Sequence, residues 1–291
     1  MSIQWYPGHM TAAKRKAEEA MEFHDVIIEV LDARIPGSST NPMIESIRTA
    51  RQRPHLKVLN KADLADPKIT EQWIKYFNSQ PKTNAISLSA KKTNDVKEVL
   101  LNCEKLAPHR GTSVKPLRML IMGVPNVGKS TIINALKNKK IAKVGNVPAV
   151  TKMQQRIEIN SRMILTDTPG MMWPKITNEL DGIFLAASHS IGINAYDEIE
   201  TALILSDTLK ERYPESLITY YGFKSPLPSD EEFLGHIAKA RNFIMKGGKA
   251  NLLKAAVTFI NDYRNGVIGK ISLESPASRN LMLKQSELNT K

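Results

Sequence analysis

The chain has 291 residues, with 41 lysines and arginines against 29 aspartates and glutamates, a formal charge of +12, 42% hydrophobic residues and 24% charged ones. This length allows two compact domains, and the ordinary hydrophobic content excludes a disordered tail as the source of the charge, which therefore sits on folded surfaces and points to a polyanionic partner such as nucleic acid. A single cysteine, Cys103, excludes an internal disulfide or cysteine-rich metal site, the six histidines lack HExxH-like spacing, and neither a bilayer-spanning apolar run nor a signal-peptide core is present, so a cytoplasmic protein without a membrane partner is expected.

Residues 1–12 read as an N-terminal arm carrying Trp5 and Tyr6, and 10–24 as a helix rich in good helix formers. Three apolar runs follow, VIIEVL (26–31), HLKVLN (55–60) and NAISLS (84–89), alternating with helical stretches such as 70–78 and 94–106. This alternation predicts a parallel α/β sheet. A fourth run, LRMLIM (117–122), enters a glycine loop and then the helical TIINALKNKK, and 153–167 reads as two strands joined at Asn160-Ser161, where the sheet ends. Beyond Pro174 apolar residues recur at helical spacing in 196–212, 230–245 and 249–264, with Ser229 and Glu232 as a capping box and Gly247-Gly248 and Gly266 as stops. Three parts are expected: the arm, an α/β domain over 13–175 and a smaller all-helical domain over 176–291.

Gly123-Val124-Pro125-Asn126-Val127-Gly128-Lys129-Ser130 fits GxxxxGK[ST] between a predicted strand and helix, the place where that string has a mechanical meaning. Backbone N–H groups over Asn126, Val127, Gly128, Lys129, Ser130 and Thr131, together with the Lys129 ammonium, can cradle phosphates, and the Ser130 hydroxyl can ligate Mg²⁺. Asp167-Thr168-Pro169-Gly170 ends a strand where the carboxylate can hold Mg²⁺ through water and the Gly170 N–H can meet a γ-phosphate. Asn60-Lys61-Ala62-Asp63 supplies a guanine reader: Asp63 accepts from the ring N–H and the amine, Asn60 bonds the opposite edge, and the Lys61 stem covers the base. Ser89-Ala90-Lys91 adds an N–H for the guanine carbonyl, and together these strings indicate GTP and GDP as ligands.

Their order, NKAD, SAK, GVPNVGKS and DTPG, places the base-reading strings ahead of the phosphate strings, the other way round from ordinary GTPases. A parallel sheet with neighbouring termini tolerates a new cut and a joining linker, so the expected fold is a circularly permuted P-loop GTPase domain on a mostly parallel sheet, with 92–116 as the join. The loop after DTPG then runs directly into the helical domain, so nucleotide state could set that domain's position.

With these motifs, QWYPGHM (4–10), LDARIP (31–36), SSTNP (38–42), MMWPK after DTPG and KGGKANLLKAAVTFINDYRNG (246–266), the chain resembles the circularly permuted GTPases of the YlqF type over nearly its whole length. The resemblance implies GTP hydrolysis coupled to late assembly of the large (50S) ribosomal subunit, with the C-terminal helices on ribosomal RNA. It implies Thr151 as the switch residue on Mg²⁺ and γ-phosphate, and Asn126 as ligand of a K⁺ ion, against a plainer role in loop geometry. Met171 stands where many GTPases place a water-orienting glutamine, so the resemblance nominates His9, counted with Lys129 and Thr151 as catalytic, against a role for His9 as an RNA contact.

Lys137, Lys139, Lys140, Lys143, Lys152, Arg156 and Arg162 form one candidate RNA surface, and Lys239, Arg241, Lys246, Lys249, Lys254, Arg264 and Lys270 another. Trp5, Tyr6 and Trp173 either stack on bases or pack internally. The expected partners are the subunit precursor and its rRNA, not DNA or membrane, for a monomer slow to hydrolyse GTP alone. The alternative is an RNA-binding assembly scaffold in which GTP is mainly structural.

Overall fold

A computed structural model of the chain describes residues 10–137, 155–173 and 176–288. Six strands, β1 (Val26–Asp32), β2 (His55–Asn60), β3 (Thr83–Ser87), β4 (Leu117–Met122), β5 (Gln155–Asn160) and β6 (Met163–Asp167), form one sheet in the order β3-β2-β1-β4-β6-β5. All neighbours are parallel except β5 and β6. Every residue of β1 and β2 is buried, which explains why these strands read as continuous apolar runs: helices cover both faces. The chain builds outward from β1 through β3, then returns to lay β4 beside β1, making the carboxyl end of β4 a switch point, where open α/β sheets bind ligands.

The helices are α1 (Met10–Glu22), α2 (Pro36–Ser39), α3 (Pro42–Ala50), α4 (Pro67–Asn78), α5 (Thr93–Leu106), α6 (Lys129–Lys137), α7 (Glu179–Ala187), α8 (Glu198–Arg212), α9 (Pro214–Tyr221), α10 (Asp230–Ala240), α11 (Leu252–Asn265) and α12 (Pro276–Leu288). Side-chain caps set several starts: Asn41 accepts from Met43 N–H, Asp66 from Lys68 N–H and Ile69 N–H, and Asn251 from Lys254 N–H. One sheet face carries α1 and α3, through Met21, Ile44 and Ile47 on Ile27 and Leu120, and α4, through Trp73 and Phe77 with Leu31 and Leu59. The other carries α5 and α6 in an apolar core that continues through Trp173, Ile183 and Phe184 into α8, α10 and α11. Trp173 and Cys103 are packing residues of that core. On the first face Glu29, Glu45 and His55 converge in a metal-like cluster, but the cation there is Lys57, whose Nζ lies 2.7 Å from Glu29 Oε2.

Three local expectations are corrected. Helix α10 stops at Ala240, and Ser229 caps it without a side-chain bond, so no capping box forms. Gly247-Gly248 is no helix stop; both residues have positive φ in a loop closed by the Ile244–Ala250 bridge. Helix α5 packs on β2, β3 and α6, so the join between the two halves of the sheet shortens to 107–116. Gly266 does end α11, at φ 70°.

Helix α7 and the α12 region are tied to α2 by a buried cluster. Glu274 accepts from Ser38 N–H at 2.7 Å, and the Ser38 hydroxyl lies 2.7 Å from Asp181 Oδ1 and 3.0 Å from Glu274 Oε2. One hydroxyl proton cannot serve two carboxylates, so the arrangement favours a protonated Glu274 donating to Ser38 Oγ. Burial pushes Glu274 up to about 7, with Asp181 adding to the rise and Arg279 opposing it. A carboxyl raised in the folded state supplies stability at low pH that is lost as pH rises through the folded value. Glu274→Gln should therefore be more stable than the parent at pH 8.5, by about 1–3 kcal/mol, with the gap closing below about pH 5; thermal melts across pH check this.

Candidate functional site

The loop between β4 and α6 is shaped by positions that exclude side chains. Gly123 has φ 144°, and a Cβ there would stand 2.4 Å from the Val30 carbonyl oxygen; Gly128 has φ 99°, and its Cβ would fall 2.2 Å from Asn60 Nδ2. Lys129 is buried and its ammonium donates to the Gly123 and Val124 carbonyls, each at 3.0 Å. Burial lowers its pKa to about 8, against the pull of Asp167. Ser130 and Thr131 are the second and third residues of α6, in the turn whose N–H groups lack intrahelical partners and attract anions.

Across the β4–β6 pairing Asp167 stands opposite Ile121. It is 1% exposed, and among the described residues neither carboxylate oxygen has a well-formed hydrogen bond. Burial raises its pKa to about 6, with Lys129 opposing. A buried carboxylate without a well-formed hydrogen bond fits a divalent cation. Gly170 lies against the loop so closely that a Cβ would be 3.0 Å from Pro125 Cα. The Met171 N–H donates to the Gly123 carbonyl at 3.2 Å, and Asn41 Nδ2 donates to the Met171 carbonyl at 3.0 Å.

The NKAD and SAK strings end β2 and follow β3 beside this loop. Asn60 is 2% exposed; its Nδ2 donates to the Val127 carbonyl at 2.7 Å and its Oδ1 accepts from Ala90 N–H at 2.9 Å. The structure thus engages with one another two groups that the sequence reading aims at the base edge. Asn60 is a strut between loops, and the Ala90 N–H is its tie. Lys61, at φ 63°, reaches Asp32 Oδ2 at 2.8 Å, and Lys91 lies 3.1 Å from Asp63. Partial burial works against the Asp63 carboxylate, but bonds from Ser89 and Lys91 hold it below the usual range. Asn126, at φ 59°, donates Nδ2 to the His189 carbonyl at 2.8 Å; a carbonyl can only accept, so the amide is oriented with Oδ1 as its acceptor end.

His9, Thr151, Trp5, Tyr6, Lys139, Lys140, Lys143 and Lys152 lie outside the described residues. Three candidate RNA cations make bonds within the chain: Lys137 donates to the Glu158 and Ile159 carbonyls, Arg162, which stays exposed, to the Gly111 carbonyl, and Arg264 to those of Ala186 and Ala187. Lys239, Lys246, Lys249, Lys254 and Lys270 are exposed, as are Arg156 and Arg241, the latter beside Tyr220 and Asp262. Sequence reasoning missed the buried Asp32–Arg34 pair beside Lys61, whose signal was two opposite charges two residues apart at the end of an apolar strand. Among the described residues no helix is long and apolar enough to cross a membrane.

A phosphate loop at the switch point, a base-reading strand end and a DTPG turn, joined in permuted chain order, define a circularly permuted P-loop GTPase. The family model of the 50S ribosome-binding GTPases matches residues 118–218. Ribosome biogenesis GTPase A of Bacillus cereus is 40% identical over 95% of this chain and 95% of its own length, and mitochondrial ribosome-associated GTPase 1 of Bos taurus is 32% identical over 93% and 88%. The crystal structure of GNP-bound YlqF from T. maritima covers 92% of this chain and 99% of its own at 26% identity, with a TM-score of 0.65. The chain belongs to the ribosome biogenesis GTPase A (YlqF) family and is a GTP hydrolase that binds GTP and GDP.

Removing the charge of Asp167 separates its cost from its use. Without nucleotide, Asp167→Asn should stabilise the fold at pH 8 by about 1–3 kcal/mol, an advantage that fades below about pH 5 as the parent carboxyl protonates. It should also lose the Mg²⁺-dependent part of the stabilisation by GDP; melting curves with and without Mg²⁺ read both effects.

Proposed function

We propose that the protein is a GTP-driven switch in late assembly of the large ribosomal subunit, acting in the cytoplasm as a monomer on the 50S precursor and its rRNA. The observation that carries this reading is the meeting of NKAD, SAK, the phosphate loop and DTPG at the carboxyl ends of the parallel strands, in a chain whose relatives are named for ribosome biogenesis.

Asp63 reads the guanine ring N–H and amine, and the Lys61 stem covers the base. Adenine would leave the Asp63 carboxylate unpaired, a penalty of roughly 1–3 kcal/mol. Backbone N–H groups of Val127 and Gly128 and the start of α6 hold the phosphates, toward which Lys129 moves from its seat on the Gly123 and Val124 carbonyls. Ser130, Thr151 and Asp167, the last through water, would hold Mg²⁺, which would supply charge neutralisation at the phosphates. Asn126, whose Oδ1 is the acceptor end of its oriented amide, would hold K⁺, which would supply positive charge beside the phosphates. Met171 offers no group for the attacking water, so His9 orients it when the protein is bound to the subunit precursor. Exposed Lys239, Lys246, Lys249, Lys254 and Lys270 contact rRNA phosphates.

GTP turnover should be slow for the free protein, rise about tenfold or more with large subunits in potassium buffer, fall in sodium, and lose its stimulation in His9→Ala. Absence of stimulation despite tight GTP binding would replace the switch with a scaffold in which the nucleotide is structural. The double variant Lys246→Glu, Lys249→Glu should cosediment more weakly with large subunits at unchanged GDP affinity; unchanged cosedimentation would remove those lysines from the interface.

A further inference from the structure

We propose that Arg34 is a positioning residue through which a bound guanine base and the carboxyl end of α11 hold one another in place. The inference rests on the reading of Lys61 as the cover of that base.

Strand β1 ends at Asp32, which is fully buried and shared by two cations. Arg34 grips it with both prongs, Nε to Oδ1 at 2.9 Å and Nη2 to Oδ2 at 2.8 Å, and adds its own backbone N–H to Oδ1 at 3.0 Å. Lys61 Nζ meets the same Oδ2 at 2.8 Å. The base-covering lysine and the arginine therefore share one oxygen, and a movement of either alters the grip on the other.

The remaining prong of Arg34 points into the helical region. Nη1 donates to the carbonyls of Arg264, at 3.2 Å, and Tyr263, at 3.4 Å, in the last turn of α11, and the guanidinium lies 4.9 Å from the centre of the Tyr263 ring. The Tyr263 carbonyl also accepts from the capping Gly266 N–H at 3.1 Å, but carbonyls of a last turn lack their regular helical donors, so a buried cation is favoured beside them. A guanidinium can serve the carboxylate and the carbonyls together because its donors are fixed in a plane and point to different sides; a lysine ammonium is a single point.

The contact continues along the chain that leaves α11. Gly266 packs on the NKAD loop so tightly that a Cβ would stand 2.7 Å from Leu64 Cδ2. Ile271 N–H donates to the Leu64 carbonyl at 3.0 Å and Leu273 N–H to the Arg34 carbonyl at 2.9 Å. Arg264 passes the connection to the end of α7, donating to the Ala187 and Ala186 carbonyls at 2.9 and 2.8 Å. The helical region is thus anchored to the base half of the nucleotide site as well as to the phosphate half, where Asn126 meets His189. Coupling of this kind is reciprocal: what steadies the base steadies α11, and what loads α11 changes retention of the base.

Hydrogen exchange on the full-length chain tests this, with amides of 264–273 as reporters and GDP binding measured separately by calorimetry. In the parent, saturating GDP should slow exchange there about fivefold or more. Inorganic triphosphate, at a concentration that protects 123–131, should leave those amides unchanged. Arg34→Lys, which keeps the charge beside Asp32 but loses the fork, should bind GDP with faster dissociation and show no slowing at saturation; its thermal melt reports folding, and Arg34→Ala should behave alike if it folds. Equal slowing in folded, GDP-saturated Arg34→Lys would overturn the proposal, as would equal slowing by triphosphate. Failure of the parent to bind GDP would overturn the guanine reading and this inference together.

Discussion

The site depends on one buried amide. β2 and β4 are not neighbours, since β1 lies between them, yet the base-reading end of β2 and the phosphate loop after β4 must keep a fixed separation to grip two ends of one nucleotide. Asn60 sets that separation by spanning β1, with Nδ2 on the Val127 carbonyl and Oδ1 on the Ala90 N–H. Its neighbour on the loop must be glycine, because any Cβ at position 128 would occupy the place of the amide. Both ends of the strut are buried, so removing it would leave a carbonyl and an N–H without partners in a region that water cannot easily reach. Gly128 and Asn60, far apart in the chain, are therefore a single constraint.

This constraint explains why the permuted order is harmless. The ligand sees only the carboxyl ends of neighbouring strands, and their spatial order is set by pairing registers and by struts such as Asn60, not by which strand is translated first. The chain needs only a connection from α5 to β4, and 107–116 supplies it. The permutation changes the chain's course beyond the γ-phosphate turn. Gly170 touches Pro125, Met171 is bonded to Gly123, and the chain then reaches α7, whose end is held by Arg264. Two routes thus join the nucleotide site to the helices, one covalent from DTPG and one through side chains from the end of β1.

Much of this was legible in the sequence because its signals are local. Strands buried on both faces produce unbroken apolar runs, and the four nucleotide strings lie at their ends, where backbone turns demand glycine and chemistry demands charge. Helix α7 was not legible, since from Asp181 to Ala187 every residue is buried and no polar face leaves a helical period. Helix α9 was missed although Pro214 at its start and Gly222 beyond its end are recognisable stops. Partners distant in sequence were not legible: α7 places two carbonyls beneath Arg264, and the cluster of Glu29, Glu45 and His55 becomes coherent only when Lys57 is seen among them.

Two of the charges that the sequence disclosed, Asp167 and Lys129, have less built around them than the structural ion pairs have. Arg34, Lys57 and Arg264 have carboxylates or carbonyls built around them, as buried cations require. Among the described residues Asp167 has no well-formed hydrogen bond, and Lys129 rests on two neutral carbonyls, with burial pushing the pKa of each toward its uncharged form. Structural ion pairs would be fitted to each other more closely than these two are. A loop shaped to take phosphates beside Lys129 and a cation beside Asp167 relieves both, so that ligand binding and folding draw on the same unpaired groups. The local rule of satisfying every buried polar atom is broken by both oxygens of Asp167 at the nucleotide site, where a sequence selected for function is expected to break it.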